Sequence, residues 1–202
     1  VKPRVYIETN FVVGYGKEHH RGQEAILSLA SSGRVDLRLP AVAIMESYKS
    51  WERERERANR LRDGLQAEIA DVLDRKFVPD TAREFTDSLS SAASSVVRRL
   101  DRARGRIATC VHVVASYGRI LPLPTSWALI ERDDSLILAE PDDMILASVI
   151  EDAKEDPDES ILLTENSEDF AQPSVKDALQ TVGVQYMYDT ADALARIRSR
   201  LS

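Results

Sequence analysis

The chain has a single cysteine, Cys110, among its 202 residues, which rules out an internal disulfide and fits a reducing compartment such as the cytoplasm. Its neighbours are apolar and helical in pattern, so Cys110 reads as a small buried hydrophobe rather than a nucleophile. No apolar run approaches the length of a bilayer span, so no membrane partner is expected, and the first residues lack the charged-then-apolar pattern of a signal segment. Internal repeats and low-complexity tracts are absent as well. Positive charge is in deficit: a formal net charge of −7 argues against a non-specific nucleic-acid coat protein, whose affinity rests on basic surface. A nuclease stays open, because metal-ligating acids add negative charge that bound ions offset. What is present is an ordinary globular composition, 43% hydrophobic and 30% charged, enough to build a core for one domain over 1–202 with a helical appendage.

Short apolar strands alternate with helical periodicity along most of the chain. Strands are predicted at 4–7, 35–39, 119–123, 160–164 and 184–187. One helix sets Ala25, Ile26, Leu29 and Ala30 on a common face and closes at Gly33. Another has Pro40 in its first turn and carries Glu46. Further helices are predicted at 126–139, from 141, at 174–181 and from Ala191. Strands separated by helices pair in parallel through right-handed crossovers. The stretch 51–117 is different: charges alternate in sign over 51–57, a thin apolar stripe runs through Leu65, Ile69 and Leu73, and 77–81 breaks the pattern. A second helix turns Phe85, Leu89, Val96, Val97 and Leu100 inward, and a third runs through Ile107, Val111 and Val114. The expected architecture is a three-layer α/β/α fold around a mostly parallel sheet of four to five strands, with a helical hairpin inserted at about 51–117.

Acidic and amide side chains recur where a strand has just ended or a helix is just beginning. Glu8 ends the first strand, Glu46 and Asp143 lie early in helices, and Asn166 and Asp169 follow the fourth strand. In a parallel sheet all such junctions share one edge, and ligands bind outside it where strand order reverses. Taken singly, each position has an ordinary reading. Glu8 could cap the helix near Asn10, Asp142 and Asp143 could favour a helix start, Glu46 could be solvated, and 166–170 could be a plain turn. Taken together, carboxylates gathered at one rim repel one another unless a cation sits among them. The pattern points to a metal-dependent site that cleaves phosphodiesters.

Through these segments the chain resembles the PIN-domain ribonuclease superfamily. Tyr6-Ile7-Glu8-Thr9-Asn10-Phe11-Val12 looks like its opening motif, the stretch from Pro40 to Glu46 is similar to its second, Asp143-Met144-Ile145-Leu146-Ala147-Ser148 resembles its third, and Thr164-Glu165-Asn166-Ser167-Glu168-Asp169-Phe170 its fourth. The resemblance frames most of the chain outside 51–117. It implies a PIN-like fold, single-stranded RNA as substrate, and Mg2+ or Mn2+ as cofactor. Glu8 and Asp143 would be the primary ligands, with Glu46 and Asp169 in support; Thr9, Asn10, Thr164 and Asn166 would orient water or substrate. A protein inhibitor, as in toxin–antitoxin pairs, and a second copy of the chain are further candidate partners. Two positions depart from the family pattern: Glu8 stands where Asp is usual, and Asn166 replaces a frequent Asp. Arg98, Arg99, Arg102, Arg104 and Arg106 concentrate positive charge that would guide a phosphate backbone, and His19 and His20 read as surface residues. The rival reading is a PIN-like interaction module without catalysis, its hairpin binding a protein or itself. A haloacid-dehalogenase-like phosphatase is disfavoured, because Glu8-Thr9-Asn10 supplies neither of the two aspartates it needs.

Overall fold

A computed structural model describes residues 2–18, 21–73, 80–124, 138–156 and 158–201. His19, His20, residues 77–79 of the break expected over 77–81, and residues 126–137 of the helix expected over 126–139 lie outside these residues; Asp80 and Thr81 already belong to a helix, and Leu138 and Ala139 are not helical. The described elements run β1 (Arg4–Ile7), α1 (Thr9–Lys17), α2 (Arg21–Ser31), β2 (Asp36–Pro40), α3 (Ala41–Leu73), α4 (Asp80–Tyr117), β3 (Arg119–Leu121), α5 (Asp142–Glu155), β4 (Ser160–Leu163), α6 (Ser167–Phe170), α7 (Pro173–Thr181), β5 (Val184–Met187) and α8 (Thr190–Leu201).

The described strands form one five-stranded sheet in the order β3-β2-β1-β4-β5, with every pairing parallel. Strand order therefore reverses between β1 and β4, as the sequence leads one to expect. Both are buried along their whole length, which is why they read as short apolar runs without alternation. Right-handed crossovers put the helices between β1 and β3 on one face and those between β3 and β5 on the other. The packing agrees. α1, α2 and α4 pack on one another and α2 on α8, whereas α5 lies against β2 and β3 and α7 against β5.

Under α5 the sheet face is ionic rather than oily. Arg38 is tied to Asp152, to Asp36 at 2.8 Å and to Asp156 at 2.9 Å, Arg4 is tied to Asp156, and the Tyr6 hydroxyl donates to Asp152 at 2.8 Å. Arg119 reaches the other Asp152 oxygen at 3.1 Å. Burial, and then the bond to Asp152, push the Tyr6 phenol well above its ordinary value. Arg4, Arg38 and Asp152 are all buried, so each charge depends on the others for solvation.

The helical region differs from its sequence pattern in three respects. α3 is one unbroken helix of 33 residues from Ala41, so the segment bearing Glu46 and the charged segment after Trp51 are continuous. Pro40 closes β2 instead of entering that helix. The second and third expected helices are likewise a single 38-residue α4. Its last turns belong to the main core, where Ala103, Ile107, Cys110 and Val114 are buried. Trp51 anchors the antiparallel α3–α4 pair: its Nε1 donates to the Leu100 carbonyl at 2.8 Å, and Arg55 and Arg104 lie over its ring. Farther out, Phe85 and Val96 are not inward. They are 63% and 45% exposed, because the seam of a two-helix pair covers only a narrow stripe of each helix.

Candidate active site

The parallel sheet delivers Glu8 and Thr164 to one edge at the two neighbouring strands where order reverses. Glu8 follows β1 directly and is 1% exposed. It does cap α1, with Oε2 accepting the Asn10 backbone N–H at 2.7 Å, while Oε1 is buried without a well-formed hydrogen bond. Burial pushes the Glu8 carboxyl up to about 8; the Asn10 amide and the Thr164 hydroxyl act against that, and the charges of Asp142 and Glu46 add to it. A cap alone has no need of such a position, since an exposed carboxylate performs that role at no desolvation cost.

Glu46 comes in from the second turn of α3, half-buried, and accepts a hydrogen bond from the Thr9 hydroxyl. α5 brings its first residue, Asp142, to the same edge. Burial, then the charges of Asp169 and Glu46, push Asp142 up to about 7, and the Asn166 side chain partly offsets them. Asn166 caps the short α6 and holds two acids at once, its Nδ2 donating to Asp142 at 3.1 Å and to Asp169 at 2.9 Å. The Thr164 hydroxyl accepts the Asn166 backbone N–H at 3.0 Å and so fixes the turn.

The structure thus brings together Glu8, Glu46 and Asp169 of the acids selected from sequence, along with Thr9, Asn10, Thr164 and Asn166. On α5 it is Asp142 that bonds Asn166 and feels the charges of Asp169 and Glu46. Asp143 accepts the Met144 backbone N–H at 2.7 Å. The two neighbours differ by about 100° around the helix axis; the sequence pattern selected Asp143 and gave Asp142 only a helix-start role. The amide of Asn166 donates to two carboxylates where a third acid would repel them.

The arginines of α4 divide. Arg106 lies over the Tyr15 ring at 4.2 Å, donates to the Tyr15 carbonyl at 2.9 Å and pairs with Glu24 at 3.2 Å. Arg104 covers Trp51. Both hold helices together. Arg98 is exposed, and Arg99 and Arg102 line, with Lys17, a cavity of about 310 Å³ between α1, α3 and α4. Cys110 is buried in the core as a small hydrophobe, which pushes its thiol up to about 12.

Among the described residues, no three His, Cys, Asp or Glu side chains are placed to hold one ion together. The donor chemistry nevertheless fits a hard divalent cation: every candidate ligand is oxygen, and one Glu8 oxygen is buried without a well-formed hydrogen bond. The chain is an α/β protein with an all-parallel sheet and an acid-lined edge at its strand-order reversal. No protein-family model, no characterised protein and no solved structure matches it.

Proposed function

We propose that the chain is a metal-dependent endoribonuclease of PIN-like architecture that hydrolyses phosphodiester bonds of single-stranded RNA. The observation that carries this reading is the meeting of Glu8, Glu46, Asp142 and Asp169 at one sheet edge, with two of them raised toward neutral pH by burial and by one another. Such an arrangement costs stability unless positive charge relieves it, and groups so perturbed mark functional sites.

Asp142 and Asp169, joined through Asn166, would hold Mg2+ or Mn2+ directly, with Glu8 and Glu46 acting through water on the ion. The bound ion supplies Lewis acidity, activating water and drawing charge from the phosphate. The chain's own residues do the rest. Asn166 keeps Asp142 and Asp169 at a fixed spacing, Thr9 orients Glu46, and the Asn10 amide fixes the Glu8 carboxyl. Where no cation is bound, Glu8 and Asp142 hold protons near neutral pH, so proton release accompanies metal capture. Arg98, Arg99 and Arg102 would guide the RNA backbone.

The test is cleavage of single-stranded RNA with and without Mn2+. Wild type cuts only with metal, and Glu8→Gln or Asp142→Asn each lowers the rate by about 100-fold or more while circular dichroism stays unchanged. Asp143→Asn loses less, by about tenfold relative to Asp142→Asn. Equal, full activity of all three variants would overturn the reading.

A further inference from the structure

Beyond Glu54, where Lys17 and the end of α1 meet the hairpin's base, α3 and α4 run on among the described residues as a two-helix pair. Its seam residues Leu65, Ile69, Leu89 and Val97 are only half-buried. Leu61, Phe85 and Val96 are 61%, 63% and 45% exposed. These three are not scattered. At 100° per residue, Leu61 and Gly64 fall to one side of the α3 seam, and Phe85, Ala92 and Val96 fall to the matching side of the α4 seam. In an antiparallel pair those two sides form one face. The opposite face carries Arg62, Gln66, Ser90 and Ser94. Gly64 sharpens the point: a Cβ there would meet nothing, yet a glycine in an exposed helix interior is unfavourable unless another backbone comes close.

We propose that this face binds a second copy of the chain, hairpin against hairpin, across a two-fold axis perpendicular to the helices. The contacts of Trp51 with Leu100 and Arg104 set the register of α3 on α4. That register puts the midpoint of Leu61 and Gly64 level with the midpoint of Phe85 and Val96. A two-fold axis at this level lays each helix antiparallel on its own counterpart. Leu61 meets the partner's Gly64, Phe85 meets the partner's Val96, and exposed Arg57 meets the partner's Glu68. Apolar knobs face small or apolar positions, and unlike charges face each other, which is the self-complementarity an isologous contact requires. Along 52–97, short of the arginines at 98 and 99, acidic side chains slightly outnumber basic ones, so this part of the hairpin offers nucleic acid no concentrated positive charge.

The experiment is sedimentation equilibrium on the full chain. Wild type sediments as a dimer. Leu61→Glu and Phe85→Glu each raise the dissociation constant by about 100-fold with helix content unchanged, since both positions are exposed in the monomer. Arg57→Glu and Glu68→Arg each weaken the dimer by about tenfold, and the double swap restores it to within about threefold of wild type. A wild type that stays monomeric at about 100 μM, a dimer indifferent to both glutamates, or a double swap no tighter than its single parents would each overturn the proposal.

Discussion

Glu8 ends a buried strand with one carboxyl oxygen on the Asn10 amide and the other buried without such a bond. That placement ties its proton to folding. Its ordinary value is 4.5 and its folded value about 8, so within that window the native chain holds a proton that the unfolded chain has released. Stability therefore falls as pH rises through the window and levels off above it. Asp142, raised from 3.8 to about 7, acts with the same sign at slightly lower pH. Thermal melts in chelator from about pH 5 to about pH 9 should show this decline in wild type. Glu8→Gln should flatten it and melt higher than wild type at the alkaline end. A decline of equal depth in the variant would remove Glu8 as its source. Residue chemistry of this kind was half visible in the sequence. The types and chain positions of the acids were plain, but the choice between Asp142 and Asp143 is a matter of rotation about a helix whose orientation only packing sets.

At the scale of elements, the turn from α4 into β3 passes β2 backbone to backbone at Gly118. A Cβ at Gly118 would lie 2.0 Å from the Leu37 carbonyl oxygen and 3.2 Å from that of Val114. Gly118→Ala must push α4 away from the sheet and should cost about 3 kcal/mol in urea unfolding, whereas Gly105→Ala, with open space around it, should be neutral or stabilising. Equal effects at the two sites would refute the close approach. All five strands were legible to within a residue or two; β1 and β4 were plainest, because a strand buried on both faces announces itself as a short apolar run between breakers. The helices were less legible. Ala41 to Leu73 changes from a core-packed to a solvent-washed environment without any break in its hydrogen bonding, and a change in hydrophobic pattern mimics a boundary. Phe85 and Val96 match helical periodicity yet lie outside the seam, since periodicity gives spacing and not which neighbour fills the face.

For the whole molecule, the acidic edge and the ionic layer beneath α5 carry negative charge into buried ground by two routes. Under α5, Arg4, Arg38 and Arg119 compensate Asp36, Asp152 and Asp156 within the protein. At the sheet edge the compensation would come from bound metal, and binding to the native state alone stabilises by mass action. At pH 8, Mn2+ at about 100 times its dissociation constant should add about 2.7 kcal/mol to wild-type stability. The gain should vanish in a Glu8→Gln, Asp142→Asn double variant. An equal gain in both proteins would place the metal elsewhere.

The sequence by itself determined the class of fold and the edge where the acids gather, because strand burial, helix periodicity and parallel crossover are written into local residue order. Tertiary structure alone decided that Asp142 bonds Asn166, that Asn166 clamps two carboxylates, that Arg104 lies over Trp51 and Arg106 over Tyr15, and that Leu61, Phe85 and Val96 of the hairpin face outward. Those outcomes depend on the angle and depth at which one element meets another, and such angles are set by side chains distant in the chain, beyond the reach of any local pattern.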